Sequence, residues 1–96
     1  MILEHALLPV RPGGEMEFEA AFALARPLIE ASAGFIRLTL ERGIESPSNY
    51  LLLVEWESVE AHQVGFRESA AYQEWRTLLH HFYEPFPIVE HFTRVS

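Results

Sequence analysis

The chain has 96 residues, 49% of them hydrophobic, which is typical of one globular domain with a single modest core. Its formal net charge of -7, without a cluster of basic residues, argues against nucleic acid or an anionic membrane surface as a partner, and no apolar run reaches the roughly 20 residues of a membrane span. Cysteine, lysine and aspartate are absent, which excludes disulfides, thiolate metal sites, a cysteine nucleophile, a lysine Schiff base, a P-loop and an aspartate-based triad.

The first third of the chain predicts a strand and a helix. Residues 2–8 form a short apolar run, which Pro9 and a glycine-rich turn bring to an end. From Glu15 onward, apolar residues recur at spacings of three and four, as in an amphipathic helix, and acidic residues occupy the first turn, where the helix dipole favours them. Pro27 should bend or loosen the last turn, and Gly34 is a suitable stop.

Two strands are predicted in the middle of the chain. Residues 35–41 alternate, with isoleucine and leucine on one face and polar residues on the other. A turn-rich segment over residues 43–49 leads to a third strand at 50–56. This third strand is apolar on both faces, which is typical of a strand that is buried on both sides.

The last part of the chain predicts more helix and a final strand. Ser58 is a good N-cap for a helix that ends near residue 67, and Ser69 can cap a second segment over residues 70–83. Residues 88–95 then alternate as a strand. The order of elements predicts a single α+β domain with a ferredoxin-like βαββαβ fold, in which both helices cover one face of a four-stranded antiparallel sheet.

The apolar third strand also predicts a homodimer. Two helices can cover only one face of the sheet, so the other face would expose a contiguous apolar patch of several hundred Å², which soluble monomers rarely tolerate. A twofold partner that lays its own sheet against this one would cover the patch.

Aromatic residues and histidines are concentrated in the second half of the chain. Residues 55–92 hold eight of the twelve aromatic residues and four of the five histidines. The simplest use of this mixture is an aromatic-lined cavity with imidazoles at its edge. We therefore expect a small-molecule pocket.

Four short motifs resemble the antibiotic biosynthesis monooxygenase family of dimeric α+β barrels. They are Glu-Trp-Glu-Ser at 55–58, Glu-Ala-His at 60–62, Ser-x-x-Tyr at 69–72 and Ala-Gly-Phe at 33–35. The resemblance covers essentially the whole chain. The family includes cofactor-independent oxygenases of polyketide phenols and quinols, haem-degrading enzymes, and members without an assigned activity.

The resemblance implies two possible chemistries. In the cofactor-free oxygenases, an acidic phenol or related carbon acid forms an anion that passes an electron directly to dioxygen. Hydrogen-bond donors in a dry cavity would stabilise that anion, and a neutral histidine could accept the proton. The haem-degrading members use an Asn, a Trp and a haem-ligating His, and the corresponding positions here hold His5, Gly65 or Phe66, and Trp75. None of them matches, so no cofactor is expected.

His62 and His5 are the candidate catalytic residues. His62 lies one turn into the second helix and would act as general base or substrate donor, or else pack on the sheet or the dimer seam. His5 shares a strand face with Leu3 and Leu7 that could look toward the helices, and His91 lies on the neighbouring last strand. A pair of imidazoles could bind an anion there. Two histidines alone leave a metal site short of ligands, so no metal is predicted.

Trp75, Tyr72, Phe66 and Arg37 are the candidate substrate-binding residues. Trp75 and Tyr72 belong to a stripe at helical spacing, which is more often core than ligand wall, although in so small a domain the two can coincide. Phe66 shares a helix face with the candidate base. Arg37, like Arg67, could orient an anionic substrate, or it could form a surface ion pair with a nearby glutamate.

The leading hypothesis is a cofactor-independent monooxygenase that oxidises a quinol, a phenol or a polyketide-like aromatic with dioxygen. One alternative is a non-catalytic small-molecule-binding or interaction module on the same fold, and haem binding is a third possibility. The expected partners are a second copy of the chain and a small aromatic molecule. The expected location is the cytoplasm, because the chain start lacks the basic n-region of a signal peptide.

Overall fold

The computed structural model describes residues 1–96. The elements are β1 (Ile2–Pro9), α1 (Glu15–Glu30), β2 (Phe35–Arg42), β3 (Asn49–Trp56), a π-helical turn (Ala61–Phe66), α2 (Ala70–Leu79), a short 3₁₀ turn (His80–Phe82) and β4 (Val89–Phe92). The four strands form one antiparallel sheet in the order β2-β3-β1-β4. This arrangement confirms the predicted ferredoxin-like α+β fold. No helix has the length and apolar character needed to cross a membrane.

The second helical region is less regular than predicted. The helix expected to end near residue 67 is largely a π-helical turn, in which the Arg67 N–H donates to the His62 carbonyl at 3.0 Å. The next helix stops at Leu79 instead of residue 83, and β4 is four residues long where eight were predicted. Prolines in the segment before β4 remove backbone donors and keep that segment out of the sheet.

Both predicted serine caps are confirmed. The Ser58 hydroxyl accepts a hydrogen bond from the Ala61 N–H at 3.1 Å, and the Ser69 hydroxyl accepts one from the Tyr72 N–H at 3.2 Å. Ser69 also donates to the Phe66 carbonyl at 2.6 Å. These bonds satisfy orphan backbone groups at the start of each helical segment and fix where the π turn and α2 begin.

The face of β1 that packs under the helices is the opposite of the one expected from the sequence. Glu4, Ala6 and Leu8 are buried under the helices, whereas the face with Leu3, His5 and Leu7 points away from them, and Leu7 is 51% exposed. The prediction that the face with His5 looks toward the helices was therefore wrong. The reason is the pairing with β3, because Ala6 and Leu8 lie opposite buried residues of that strand and successive side chains alternate between faces.

The helix-facing side of β3 forms the centre of the core. Tyr50, Leu52, Val54 and Trp56 are all buried there, and the Trp56 side chain is completely enclosed. Leu51 and Leu53 point to the other side, as the alternation predicted, and are only half-buried. We call that side the open sheet face; its apolar residues are Leu3, Leu7, Leu51, Leu53 and Phe92.

Gly34 fixes the position of the π turn against the sheet. Its φ of +85° belongs to the left-handed region, and a Cβ at this position would lie 2.6 Å from the Ala61 Cβ. Its carbonyl accepts a hydrogen bond from the Glu57 N–H at 2.8 Å. This close approach brings the start of the π turn, and with it His62, over the end of β3.

Candidate functional site

A cavity lies between the helix-facing side of the sheet and α2. Its volume is about 40 Å³, and ten of its fifteen lining residues are hydrophobic. The polar lining residues include Glu4 from β1, His62 from the π turn, and Arg67 and His80 from either end of the α2 region. The cavity thus combines an apolar wall with a few convergent titratable groups, as ligand sites do.

Glu4 is a carboxyl group in the core, with only 4% of its surface exposed. Trp56, its diagonal neighbour on β3, donates its indole N–H to Glu4 Oε1 at 2.9 Å. Burial raises the pKa of Glu4 from 4.5 to about 7, and the Trp56 hydrogen bond and the positive charge of Arg67 offset only part of this effect. Glu4 therefore titrates near neutral pH, and no protein group donates a hydrogen bond to its Oε2.

His62 is equally buried and lies on the indole of Trp56. The two rings stack with centroids 5.3 Å apart and planes inclined by 23°. His62 Nε2 lies 3.3 Å from Glu4 Oε1, and its Nδ1 is hydrogen-bonded to Nε2 of His91 at 2.8 Å. Burial above all, followed by the charges of His91 and Arg67, lowers the pKa of His62 to about 4.

These contacts form a polar chain through the core, from Glu4 through His62 to His91. The contact between Glu4 and His62 would be a salt bridge only if both groups were charged, but burial disfavours the charge on each. With its proton on Nε2, the neutral His62 points an N–H toward Glu4 and accepts from the Nε2–H of His91. The half-buried His91 ends the chain, and burial together with Arg67 lowers its pKa as well.

Aromatic side chains form the rest of the wall. Phe66 packs edge-on against Tyr72 and Trp75, with ring centroids 5.4 Å and 5.6 Å away. Tyr83 and Phe86 line the side nearest β4 and lie 6.2 Å apart. Burial raises the pKa of the Tyr83 hydroxyl, so this group stays protonated and can donate a hydrogen bond.

Four of the six residues selected from the sequence meet at this cavity: His62, Phe66, Tyr72 and Trp75. The other two, His5 and Arg37, lie on the open sheet face. His5 packs edge-on against Phe92 at 5.5 Å, and the predicted pair with His91 is not formed because His91 lies opposite Glu4. His5 therefore cannot reach the cavity, because its side chain lies on the face of β1 that points away from the helices.

Arg37 forms an ion pair with Glu55, its partner on β3. Both residues line a groove of about 660 Å³ on the open sheet face, together with Phe92 and Arg94. A bulge between Phe35 and Arg37 sets this register. Of the two readings for Arg37, the structure shows the surface ion pair and places the side chain away from the aromatic cavity.

Glu4 is the site residue that the sequence reasoning missed. The signal was a single acidic residue inside the apolar run of β1, on the same face as Ala6 and Leu8. A charge at a core position of a strand is rare unless it is paired or functional. No group of three or more side chains in the structure is arranged to hold a metal ion.

The family model for antibiotic biosynthesis monooxygenase matches residues 1–78. The chain belongs to the antibiotic biosynthesis monooxygenase family. This family member is 52% identical over 95 residues to the uncharacterized protein YczJ of Bacillus subtilis (strain 168), an alignment that covers 99% of this chain and 100% of YczJ.

Solved structures share the architecture. A candidate antibiotic biosynthesis monooxygenase from Bordetella bronchiseptica is 44% identical and superimposes with a TM-score of 0.94 over 99% of this chain and 97% of the other. SnoaB, a cofactor-independent oxygenase from Streptomyces nogalater, superimposes with a TM-score of 0.79 over 99% and 93% of the two chains. At 23% identity, the likeness to SnoaB shows a common fold alone.

Proposed function

We propose that this family member is a cofactor-independent monooxygenase that oxidises a small electron-rich aromatic, such as a quinol, a phenol or a polyketide-like compound, with dioxygen. The observation that carries the proposal is Glu4, a carboxyl group with a pKa of about 7 in an aromatic-walled cavity. Such a group is matched to proton transfer near neutral pH. Membership of a monooxygenase family and the cofactor-independent activity of SnoaB, a protein of the same fold, support the reaction type.

Glu4 is a better general base than His62, which the sequence suggested for this role. A group with a pKa of about 4 is a weak base at neutral pH, whereas one with a pKa of about 7 is half ionised and still basic. Glu4 Oε2, which accepts no hydrogen bond from the protein, is the oxygen that takes the substrate proton. His62 is then a positioning residue, because it and Trp56 hold the other oxygen.

The oxidation of an anthrone-type substrate illustrates the proposed chemistry. Glu4 removes one proton from the ring CH₂ group, and the resulting carbanion reduces dioxygen and forms a carbon–oxygen bond. Glu4 returns this proton to the peroxide anion, which gives a hydroperoxide. The Glu4 carboxylate then removes the remaining hydrogen from the same carbon as a proton, the electron pair of that C–H bond forms the new carbonyl, and the O–O bond breaks. The departing hydroxide takes the proton from Glu4 and leaves as water. The aromatic wall packs against the flat substrate and excludes competing water.

The substrate has to displace part of the cavity wall. About 40 Å³ is little more than the volume of one water molecule, whereas pockets for drug-sized ligands hold roughly 300 Å³ or more. Phe86 is the wall residue with the fewest constraints, because it is 58% exposed and packs edge-on only against His80 and Tyr83. Outward movement of this side chain opens the cavity at the smallest loss of contacts.

Phe86→Ala is therefore expected to lower the KM for aromatic substrates about three- to tenfold, because the variant no longer has to expel a ring from the entrance. The loss of stability should stay below about 1 kcal/mol, since the side chain is largely exposed. Steady-state oxygen uptake measures the change. Leu24→Ala removes an exposed apolar side chain from α1, outside both the cavity and the open sheet face, and serves as the control. An unchanged KM in Phe86→Ala would place the entrance elsewhere.

Oxygen uptake with a panel of hydroquinones and anthrones tests the function itself. We expect turnover by the wild type that rises with pH through about 7, because Glu4 must be ionised. Glu4→Gln should lower kcat at least about tenfold. His62→Phe should move the rise of the rate to higher pH, because the carboxylate loses a polar neighbour. His81→Ala, an exposed histidine outside the cavity, is the control. The proposal fails if no compound is turned over or if Glu4→Gln retains full activity.

A second candidate function is a non-catalytic small-molecule-binding module. The small cavity volume favours this function, because the nearly filled space between the helices and the sheet leaves little room for a reaction between a substrate and dioxygen. A module of this kind would bind aromatics without consuming oxygen, so a binding titration beside the oxygen measurement separates the two functions. Haem is poorly suited to the site, because the position that the resemblance gives to the haem ligand holds Trp75, which is buried against Phe22 and Phe66.

The functional unit that we propose is a homodimer. Leu7 and Phe92 on the open sheet face are about half exposed, and Leu3, Leu51 and Leu53 connect them into one apolar surface across three strands. Such a contiguous surface is unusual for a free monomer. A second copy that presents the same surface would cover it through a twofold axis. The cavity lies on the helix side of the sheet, so pairing of the open faces leaves its entrance accessible.

A further inference from the structure

Arg67 is a half-buried arginine in the wall of the cavity. Its guanidinium forms no ion pair and no side-chain hydrogen bond, although glutamates outnumber arginines two to one in this chain. Four other arginines each pair with a glutamate, and these are Arg11, Arg26, Arg37 and Arg42. The remaining two, Arg76 and Arg94, are exposed to solvent. An unpaired cation that is partly removed from water is costly unless an anion joins it.

The surroundings of Arg67 favour a flat anionic ligand. The guanidinium carbon lies 5.9 Å from the centre of the Tyr72 ring, and both residues line the cavity beside Phe66 and Trp75. A ligand ring against these aromatic walls can therefore present a charged substituent to the guanidinium fork. The fork matches the two oxygens of a carboxylate, with which it forms paired hydrogen bonds.

The charge balance of the cavity points to a single negative charge on the ligand. His62, His80 and His91 all have lowered pKa values and are neutral at physiological pH, so Arg67 is the one fixed positive charge among the lining residues. Glu4, when ionised, adds a negative charge to the same cavity. A dianion such as a phosphate ester would meet this carboxylate with only one cation to balance it, so a monoanion is the better match.

We infer that Arg67 binds a carboxylate on the substrate, and that the substrate class of this site is aromatic monocarboxylates. This inference rests on the proposed function for the identity of the cavity and extends it to a specific recognition element. The aromatic ring lies against Phe66, Tyr72 and Trp75, its carboxylate pairs with Arg67, and its acidic ring position faces Glu4. Arg67 thus holds the acidic ring position of the substrate next to the general base Glu4. It is a binding residue, not a proton-transfer group.

Binding of 4-hydroxybenzoate and of its neutral isostere 4-hydroxybenzamide tests the inference without any turnover. Both are titrated by calorimetry at neutral pH under anaerobic conditions. The wild type should bind the acid at least about tenfold more tightly than the amide, which is typical of a charge-assisted pair. Arg67→Gln should reduce this preference to within about twofold, and Arg67→Lys should retain part of it because the charge remains without the fork.

Arg76→Gln is the matched control, since it removes the same charge from an exposed position of α2 and should leave the preference intact. The His91 pKa, followed by NMR, should rise in Arg67→Gln, which shows that the local charge has been removed from a folded protein.

The titrations are repeated in Phe86→Ala, whose entrance is wider. Equal binding of acid and amide to the wild type, a preference that survives Arg67→Gln, or no binding of the acid in either background would overturn the inference. Binding without oxygen uptake would leave it intact and remove the proposed function alone.

Discussion

Glu4→Gln is expected to stabilise the protein at about pH 8 and to leave its stability near pH 4.5 almost unchanged. The pKa of Glu4 rises from 4.5 to about 7 on folding, so between these values the folded protein retains a proton that the unfolded chain has released. Folding stability is therefore lost as the pH rises through about 7. Glutamine stays neutral throughout and keeps an oxygen for the Trp56 N–H. The gain at about pH 8 amounts to about 3 kcal/mol.

His62 has the opposite dependence on pH. Its pKa falls from 6.5 to about 4 on folding, so its contribution to stability is present above 6.5 and is lost as the pH falls toward 4. In the wild type the two trends oppose each other between pH 4.5 and 6.5, and this pair adds little net slope there. In Glu4→Gln only the histidine trend remains, and stability should rise steadily with pH over the same interval.

Urea unfolding followed by far-ultraviolet circular dichroism at several pH values measures both trends. Glu74→Gln, which removes the same charge from an exposed position of α2, is the control and should shift stability by less than about 0.5 kcal/mol at every pH. A Glu4→Gln variant whose stability difference from the wild type does not change with pH would show that Glu4 titrates normally. The assignment of Glu4 as the base would then be lost.

A stability gain in Glu4→Gln combined with a loss of turnover would separate function from folding at this position. A carboxyl group that weakens the fold at neutral pH has no use in a core selected for stability alone. The same burial that makes the carboxylate unfavourable makes it a stronger base, because the proton binds where charge is poorly solvated. In this site the loss of stability and the proposed catalytic power therefore have one physical origin.

The sequence predicted the fold more completely than the site. Period and capping are local signals, so the topology, the caps at Ser58 and Ser69, and the two apolar faces of β3 follow directly from them. Local signals do not predict which face of β1 meets the helices, because the alternation of side chains defines two faces but does not show which of them is buried. One face of β1 carries Leu3, His5 and Leu7, and the other carries Ile2, Glu4, Ala6 and Leu8. Each face has one titratable residue among apolar ones, and the face with Glu4 is the buried one.

The polar chain of the site is held by contacts between residues far apart in sequence. Trp56 and Glu4 are 52 residues apart, and His62 and His91 are 29 apart. Such pairs depend on strand register and on where the π turn docks, and no local pattern encodes either. Of this chain of contacts, only His62 was identified as a candidate catalytic residue, because its helical position relative to Phe66 is a local property.

Leu53→Glu is expected to dissociate the proposed homodimer. Leu53 lies near the middle of the open sheet face, between His5 on β1 and Thr39 on β2. In a pair of sheets packed through this face, its side chain would be buried twice, once in each copy. A carboxylate without a partner there costs several kcal/mol per site, so the dissociation constant should rise at least about a hundredfold.

Sedimentation velocity over a range of protein concentrations measures this effect. The wild type should sediment as a dimer and Leu53→Glu as a monomer with an unchanged circular dichroism spectrum, because Leu53 is not part of the core between sheet and helices. Gln73→Glu, which adds the same charge to an exposed position of α2, should remain dimeric. A wild type that stays monomeric at high concentration, or a Leu53→Glu variant that stays dimeric, would contradict pairing through this face. Since the Glu4 cavity opens on the helix side, the monomeric variant should still bind aromatic ligands, which separates assembly from recognition.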